Sequence, residues 1–204
     1  MSKERTSNEL KIKDLALIGL LLAIGTILHV IMPGFGAGMK PDTIAAMLIV
    51  VVLMYRNFKV TLVAGLVGGL LAALTTTFPG GQLPNIIDKI ATSIVVLGLA
   101  FVIAVPLEKI LPKRTVRFLM STASVGTFIA CGVIGFIGTI VSGLVFLGSA
   151  LLIVGLPAPF EVLFITVVIP AAISSTILVM ILYPLVAVSK RLVNRTDAKQ
   201  NIGK

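Results

Sequence analysis

The 204-residue sequence has few charged side chains and almost no metal-ligating or redox-active ones. Charged residues make up 12% of the chain, about half the share that soluble globular domains carry. A single cysteine, Cys131, excludes an intrachain disulfide, and with one histidine a dedicated zinc site is not expected. The sequence also lacks the Gly-x-x-x-x-Gly-Lys-Ser/Thr motif that holds the phosphates of ATP. We therefore expect no cofactor in this chain.

Long apolar runs fill most of the sequence. Hydrophobic residues make up 57% of the chain, and its mean hydropathy is +1.13. The first run, Leu15 to Met32, has 18 residues and is long enough to span a bilayer. A signal peptide is the alternative for this run, but signal-peptide cores are shorter and Gly36-Ala37-Gly38 is a weak cleavage site. We interpret the run as a retained first span.

The runs predict an all-α integral membrane protein that forms one domain over residues 1–204. None shows the alternating pattern of a membrane β-barrel, and helices satisfy their own backbone hydrogen bonds in lipid. We expect Pro170 and Pro184 to kink the last span and an apolar outer loop near Leu147–Phe160. The sequence thus predicts a six-transmembrane-helix bundle with spans at about 15–32, 42–55, 60–77, 85–107, 118–146 and 161–188.

The distribution of positive charge predicts the orientation of the bundle. With six spans and the N-terminus inside, 15 of the 17 Lys and Arg residues lie on the cytoplasmic side, and only Lys40 and Lys89 lie outside. If the uncharged stretch 118–160 held two spans, the basic tail would lie outside, which insertion disfavours. We therefore predict that both termini are cytoplasmic. Because the cations flank apolar runs, the net charge of +9 indicates contact with membrane lipid, not nucleic acid.

Two turn-rich segments on the predicted outer side, Gly38–Asp42 and Phe78–Lys89, bring polar residues to the starts of two helices. An amino-acid-like zwitterion could bind there, with its carboxylate on Lys40 or a helix start and its ammonium on an acid. Helix capping by Asp42, Asn85 and Asp88 is the alternative, and Lys40 and Lys89 could extend their side chains to the membrane surface. The candidate substrate-binding residues are His29, Phe35, Met39, Lys40, Asp42, Phe78, Gln82, Asn85 and Asp88.

Small residues recur at helical spacing in three spans. Ala16, Gly19 and Ala23 share one face of the first span and either pack inside the bundle or dock to another membrane protein. Gly65 and Gly69 form a GxxxG motif in the third span, and we expect it to serve internal packing. The same expectation holds in the fifth span for Gly132, Gly135 and Gly138.

Several motifs together resemble the bacterial tryptophan transport protein family, TrpP. The resemblance is strongest over about residues 10 to 105, whereas the last third of the chain resembles the family only in hydropathy. The family in turn looks like the substrate-binding S components of energy-coupling factor (ECF) transporters. The motifs are Gly19-Leu-Leu-Leu-Ala-Ile-Gly25, His29, Pro33-Gly34, Gly38-Met-Lys-Pro-Asp42, Leu74-Thr-Thr-Thr-Phe-Pro-Gly-Gly-Gln82 and Pro84-Asn-Ile-Ile-Asp-Lys89.

The resemblance implies a specific fold, substrate and set of partners. It implies a six-helix S-component fold in the bacterial cytoplasmic membrane and uptake of tryptophan bound from outside. It also implies an ECF transmembrane coupling subunit and two ATPase subunits, so that ATP would be used by the partners and not by this chain. In S components a small-residue motif on the first helix docks to the coupling subunit, and Ala16, Gly19 and Ala23 match it in kind.

Two other classes of function remain open at this point. A solitary proton-coupled amino-acid transporter would favour a titratable group in mid-membrane, and His29 is the nearest candidate in the sequence. An intramembrane enzyme would need a nucleophile, metal or paired-acid constellation, and the sequence offers none. We therefore predict a transport protein and not an enzyme.

Overall fold

The computed structural model describes residues 12–34, 40–110 and 125–202, with the side chains of 12–34, 40–110 and 126–190, and these residues form helices and connecting turns without any strand. Five helices are long and apolar enough to cross a membrane, and one apolar helix is shorter. The helices are α1 (Ile12–Ile31), α2 (Thr43–Tyr55), α3 (Phe58–Thr75), α4 (Gln82–Ile110), α5 (Val125–Ile153) and α6, which covers residues 160–202. The prediction of an all-α membrane protein is confirmed.

The short helix α2 lies at the centre of the bundle. Its residues from Thr43 to Leu53 are all buried, and it packs against each of the other five helices. Its sequence is apolar on every side, which is the pattern of a helix enclosed by other helices. Because α2 has 13 residues, the six-span count stays a prediction.

The GxxxG motif of α3 packs against α4, as we expected. A Cβ atom added to Gly69 would lie 3.0 Å from Ile86 Cα, and one added to Gly65 would lie 3.1 Å from the carbonyl oxygen of Lys89. Only glycine allows the two backbones to approach this closely. The close approach covers the first half of α4 with α3, and this is the half that carries Asp88 and Lys89.

The glycines of α5 also serve internal packing. Gly135 lies against Thr176 and Val179 of α6, and Gly138 lies against Val96 of α4. These contacts hold α5 between α4 and α6. They make the described part of the uncharged stretch a packed helix of the bundle.

Two helices contain a π-helical turn just before a proline. Residues Ala100–Ala104 of α4 and Phe164–Val168 of α6 are π-helical, and Pro106 and Pro170 follow each turn at the same distance. A proline cannot donate its own hydrogen bond and clashes with the carbonyl four residues earlier, which here lies inside the wider turn. A π-helical turn therefore precedes Pro170, and Pro184 lies inside a continuous α-helix. The kinks that we expected at the two prolines stay predictions.

The predicted loop at Leu147–Phe160 is wrong in its first half. Helix α5 continues to Ile153, and residues 154–159 connect it to α6. The helix extends further because Leu147 and Ala150 are buried against an apolar cluster that includes Leu163. The first seven residues of the predicted span 118–146 lie outside the described residues.

Polar contacts join four helices at the end of the bundle where α2 finishes. The guanidinium of Arg56 donates two hydrogen bonds to the carboxylate of Glu108, at 3.0 and 2.5 Å. The Tyr55 hydroxyl donates to Asp14 Oδ1 at 2.9 Å, and the ammonium of Lys190 lies over the Tyr55 ring. These contacts connect α1, α2, α4 and α6 at one end of the bundle. The candidate site lies at the other end.

Candidate functional site

A cavity opens at the end of the bundle where α2 and α4 begin. Its lining residues surround about 660 Å³ of non-atom space, part of which is open to solvent. Residues from α1, the start of α2, the α3–α4 connection, α4, α5 and α6 line it. The lining residues are His29, Lys40, Asp42, Thr76, Thr77, Phe78, Asn85, Asp88, Thr139, Ser142, Gly143, Phe146, Leu147, Val167, Val168 and Ala171.

Most of the candidate binding residues lie together in the lining of this cavity. His29, Lys40, Asp42, Phe78, Asn85 and Asp88 all line the cavity. Gln82 does not: it is the first residue of α4 and its side chain is exposed. Phe35 and Met39 lie outside the described residues.

Three charged side chains form a buried cluster beside the cavity. The ammonium of Lys89 lies 2.5 Å from Asp42 Oδ2 and also contacts the carboxylate of Asp88. Lys89 is fully buried, so the alternative in which its side chain extends to the membrane surface does not hold. The reason is the register of α4, which begins at Gln82 and places Lys89 in its third turn, facing α2.

The two carboxylates of the cluster differ in how many hydrogen bonds they accept and in how much of their surface is exposed. Asp88 accepts hydrogen bonds from Lys89, from Thr92 Oγ1 at 2.8 Å and from Ser142 Oγ at 3.0 Å, and its side chain is 1% exposed. Asp42 accepts a hydrogen bond from the backbone N–H of Ala45 at 2.8 Å, and its side chain is 24% exposed. A ligand in the cavity therefore meets Asp42 more readily than Asp88.

The capping interpretation holds for one acid and fails for the other. Asp42 is the N-cap of α2 through its bond to Ala45. Gly81, not Asn85, is the N-cap of α4, so Asn85 and Asp88 are helical residues and do not form a capping box. The Asn85 side chain donates through Nδ2 to the carbonyl oxygen of Gly81 at 2.8 Å.

Hydrogen bonds hold the segment before α2 against the end of α1. Lys40 Nζ donates to the carbonyl oxygen of Val30 at 2.9 Å, and Thr43 Oγ1 donates to that of Gly25 at 2.7 Å. His29 Nδ1 lies 3.1 Å from the carbonyl oxygen of Pro41 and donates to it in the tautomer that carries the proton there. These bonds fix the backbone on which Lys40 and Asp42 are carried.

Another part of the cavity lining is apolar and aromatic. Phe78 and Phe146 meet edge to face, with ring centroids 5.4 Å apart at 82°, a favourable arrangement for aromatic rings. Leu147, Val167 and Val168 extend this wall. The cavity can therefore hold a ligand with a charged end and a flat apolar body.

Comparisons with known proteins agree with one another. The family model described as "Tryptophan transporter TrpP" matches residues 11–191. The chain belongs to the TrpP family. Three relatives are named "Probable tryptophan transport protein": one from Clostridium acetobutylicum is 44% identical (91% of this chain, 98% of the relative), one from Bacillus subtilis is 44% identical (87% and 92%), and one from Clostridium perfringens is 41% identical (88% and 93%). No solved structure matches the chain.

The TrpP match covers every residue that lines the cavity, including those of α5 and α6 that the sequence did not indicate. A transport-protein family and five helices able to cross a membrane together show a multi-pass membrane protein. Sequence reasoning missed Lys89, Thr139, Ser142 and Phe146. Thr139 and Ser142 lie three residues apart in an uncharged run, and this spacing was the one available signal for a polar face on α5.

The small-residue face of α1 is uncovered in this TrpP-family chain. Ala16, Gly19 and Ala23 are exposed, whereas Ile18, Leu21 and Leu22 are buried. A Cβ atom added to Gly19 would meet nothing within 4 Å. Internal packing among the described residues therefore does not account for this face.

Within the described residues, no three His, Cys, Asp or Glu side chains are grouped so that they could hold a metal ion. The arrangement that the cavity does offer is a buried ion cluster, a separate cation at Lys40 and an aromatic wall. Its chemistry suits recognition of a polar ligand with an apolar body.

Proposed function

We propose that the chain binds tryptophan in this cavity from the outer side of the membrane and serves its uptake. One observation carries the proposal: an accessible carboxylate, Asp42, lines the same cavity as the Phe78–Phe146 aromatic pair. The relatives' names support tryptophan as the ligand. The bound molecule is oriented by its two charged groups and its ring.

Each part of tryptophan has a partner in the proposed complex. The ammonium lies against Asp42, which retains exposed surface. The carboxylate lies against Lys40, which uses one of its three N–H donors on Val30. The indole ring lies against Phe78 and Phe146, with the Asn85 side chain as the polar group nearest to its N–H. Gln82, which is exposed outside the cavity, has no part in this arrangement.

Calorimetric titration of the purified protein tests the proposal. Tryptophan should bind more tightly than tryptamine, which lacks the carboxylate, and than indole-3-propionate, which lacks the ammonium. Phenylalanine keeps both charges and loses part of the ring contact, so it should rank between tryptophan and these analogues. Equal affinities for all four compounds, or no binding of tryptophan, would contradict the proposal.

For the energy source we propose that this chain is the substrate-binding S component of an ECF-type transporter. The partners would be a transmembrane coupling subunit and two ATPase subunits, which would hydrolyse the ATP. The uncovered face formed by Ala16, Gly19 and Ala23 supports this, because small residues allow a second membrane protein to approach closely. Copurification of the tagged protein from its host should then bring ATPase subunits into the eluate.

One observation favours the alternative, a solitary proton-coupled transporter. Two acids, the partly exposed Asp42 and the buried Asp88, share Lys89 within an apolar bundle, and such groups occur in proton pathways. The two energy sources give opposite results in proteoliposomes that contain only this chain. Tryptophan accumulation driven by an imposed proton gradient and abolished by a protonophore would establish the alternative. The absence of accumulation, with binding retained, is expected for an S component.

A further inference from the structure

Lys89 is a lysine without any exposed surface, placed between two carboxylates. Both of its partners, Asp42 and Asp88, line the cavity, whereas the Lys89 side chain is 0% exposed. A ligand in the cavity therefore meets the acids and not the lysine. Lys89 can act on the ligand only through what it does to those acids.

The charges of the cluster do not balance. Two carboxylates share one ammonium, and their other partners, Thr92, Ser142 and the Ala45 N–H, are neutral. With both carboxylates ionised, the cluster carries one net negative charge beside the cavity, and burial makes an unpaired charge costly. The other titratable groups that line the cavity are His29 and Lys40. Each contacts a backbone carbonyl oxygen, and His29 also lies close enough to Asp42 for a charge interaction. The cavity thus has a negative position at the cluster and a positive one at Lys40, which is the complement of a zwitterion.

The contacts also fix the direction of Asp42. Its Oδ1 accepts from Ala45 and its Oδ2 faces Lys89, so the carboxylate is held at both oxygens. Lys89 is held in turn by Asp88, which Thr92 of α4 and Ser142 of α5 fix in place. A continuous chain of polar contacts therefore connects α5 and α4 with the acid at the start of α2.

We propose that Lys89 is a positioning residue that sets the specificity of the site for a single ammonium group. It aligns Asp42 and reduces the charge of the acid pair from two negative units to one, which one ligand ammonium then balances. Asp88 is the counter-ion of Lys89 and does not itself receive the ligand. This inference rests on the proposed binding of an amino acid in the cavity.

Three variants test the charge count: Asp88→Asn, Lys89→Met and the double variant. In Asp88→Asn, Lys89 neutralises Asp42, so the preference for tryptophan over indole-3-propionate should fall by about tenfold or more. In the double variant Asp42 alone keeps one negative charge, so the preference should return although a second residue of the cluster has been removed. A lysine that touched the ligand carboxylate, or a merely structural one, would not give this recovery.

If the wild type binds tryptophan, the inference is decided by whether the double variant recovers the preference for tryptophan over indole-3-propionate. If Asp88→Asn keeps the full preference, or if the double variant is as unselective as Asp88→Asn, the inference is overturned. Lys59→Met, which removes an exposed lysine far from the cluster in the chain, is the matched control and should bind as the wild type does.

Thermal unfolding without ligand separates this inference from the proposed function. Lys89→Met leaves two acids side by side without a cation, and the double variant leaves one, so the double variant should unfold at the higher temperature. If the wild type binds no tryptophan but this order holds, the substrate is wrong and the counter-ion role of Lys89 stands. If the double variant is no more stable than Lys89→Met, the counter-ion role is wrong whatever the ligand.

Discussion

Replacement of Asp42 by asparagine should abolish recognition of the ammonium and leave the fold intact. Asparagine keeps a side-chain oxygen that can accept the hydrogen bond from the Ala45 N–H, now 2.8 Å long, so the N-cap of α2 is retained. Alanine at this position would remove the cap as well, at a cost of about 1 kcal/mol. Asp42→Asn thus isolates the charge from the structural role of the same side chain.

The expected loss of affinity follows from leaving one ammonium without its partner in a mostly buried place. The Asp42 side chain is 24% exposed in the open cavity, and a bound ligand would cover part of that surface. Removing one member of a buried charge pair typically costs about 3–5 kcal/mol, which is roughly a hundredfold to a few thousandfold in affinity. In the variant Lys89 also remains paired with Asp88, so no negative charge is left over at the cluster.

Calorimetric titration of wild type and variant with tryptophan and with indole-3-propionate measures this loss. Tryptophan should weaken by the amount given above, and indole-3-propionate, which has no ammonium, should change little. Glu161→Gln is the matched control, since Glu161 is an exposed acid at the start of α6 that does not line the cavity. Asp42→Asn binding tryptophan within about threefold of wild type would refute the assignment of the ammonium to Asp42, because that ratio is under 1 kcal/mol.

Three further predictions concern the other end of the ligand, the docking face and the orientation of the bundle. Lys40→Ala should weaken tryptophan binding by roughly tenfold or more while tryptamine, which lacks a carboxylate, is unaffected in the same titration; equal losses for both ligands would count against the carboxylate contact. Gly19→Leu should prevent copurification of partner subunits and leave tryptophan binding unchanged. The control Gly98→Leu, also at an open position, should keep both copurification and tryptophan binding. Loss of tryptophan binding in Gly19→Leu would indicate that the face packs inside the protein. In a Cys131→Ala background, a cysteine at Pro79 should react with an impermeant thiol reagent in intact cells and one at Lys109 or Lys204 should not; equal labelling would contradict cytoplasmic termini.

The positions of the helices were largely predictable, because length and apolarity of a run are enough to indicate a membrane helix. The contact of α3 with α4 was predictable too, since a GxxxG motif permits an approach that other residues prevent. The end of α5 was not. The run from Phe118 to Phe160 has no charged residue, so nothing in its composition marks where the helix stops, and burial of Leu147 and Ala150 decides it.

The site was predictable in outline and not in its electrostatics. The residues at helix starts were expected to meet at one end of the bundle, and His29, Lys40, Asp42 and Phe78 do. The burial of Lys89 depends on the first residue of α4. A helix that began at Asn85 would place Lys89 in its second turn near the end of the bundle, whereas the helix that begins at Gln82 places it in the third turn, where it contacts Asp42. The earlier start adds about 4.5 Å of helix before Lys89 and so changes the depth of its side chain.

The shortness of α2 explains how an acid comes to lie inside an apolar bundle. Its 13 residues give a helix about 20 Å long, against a hydrocarbon layer of about 30 Å. Tyr55 and Arg56, at the end of α2, contact Asp14, Glu108 and Lys190 at one end of the bundle. The length by which α2 is shorter than the hydrocarbon layer therefore falls at its other end, where the helix begins. There the chain enters α2 at Asp42, and Lys89 of α4 supplies a counter-ion from within the bundle. A short central helix therefore brings both the acid of the proposed site and its counter-ion into the helical bundle.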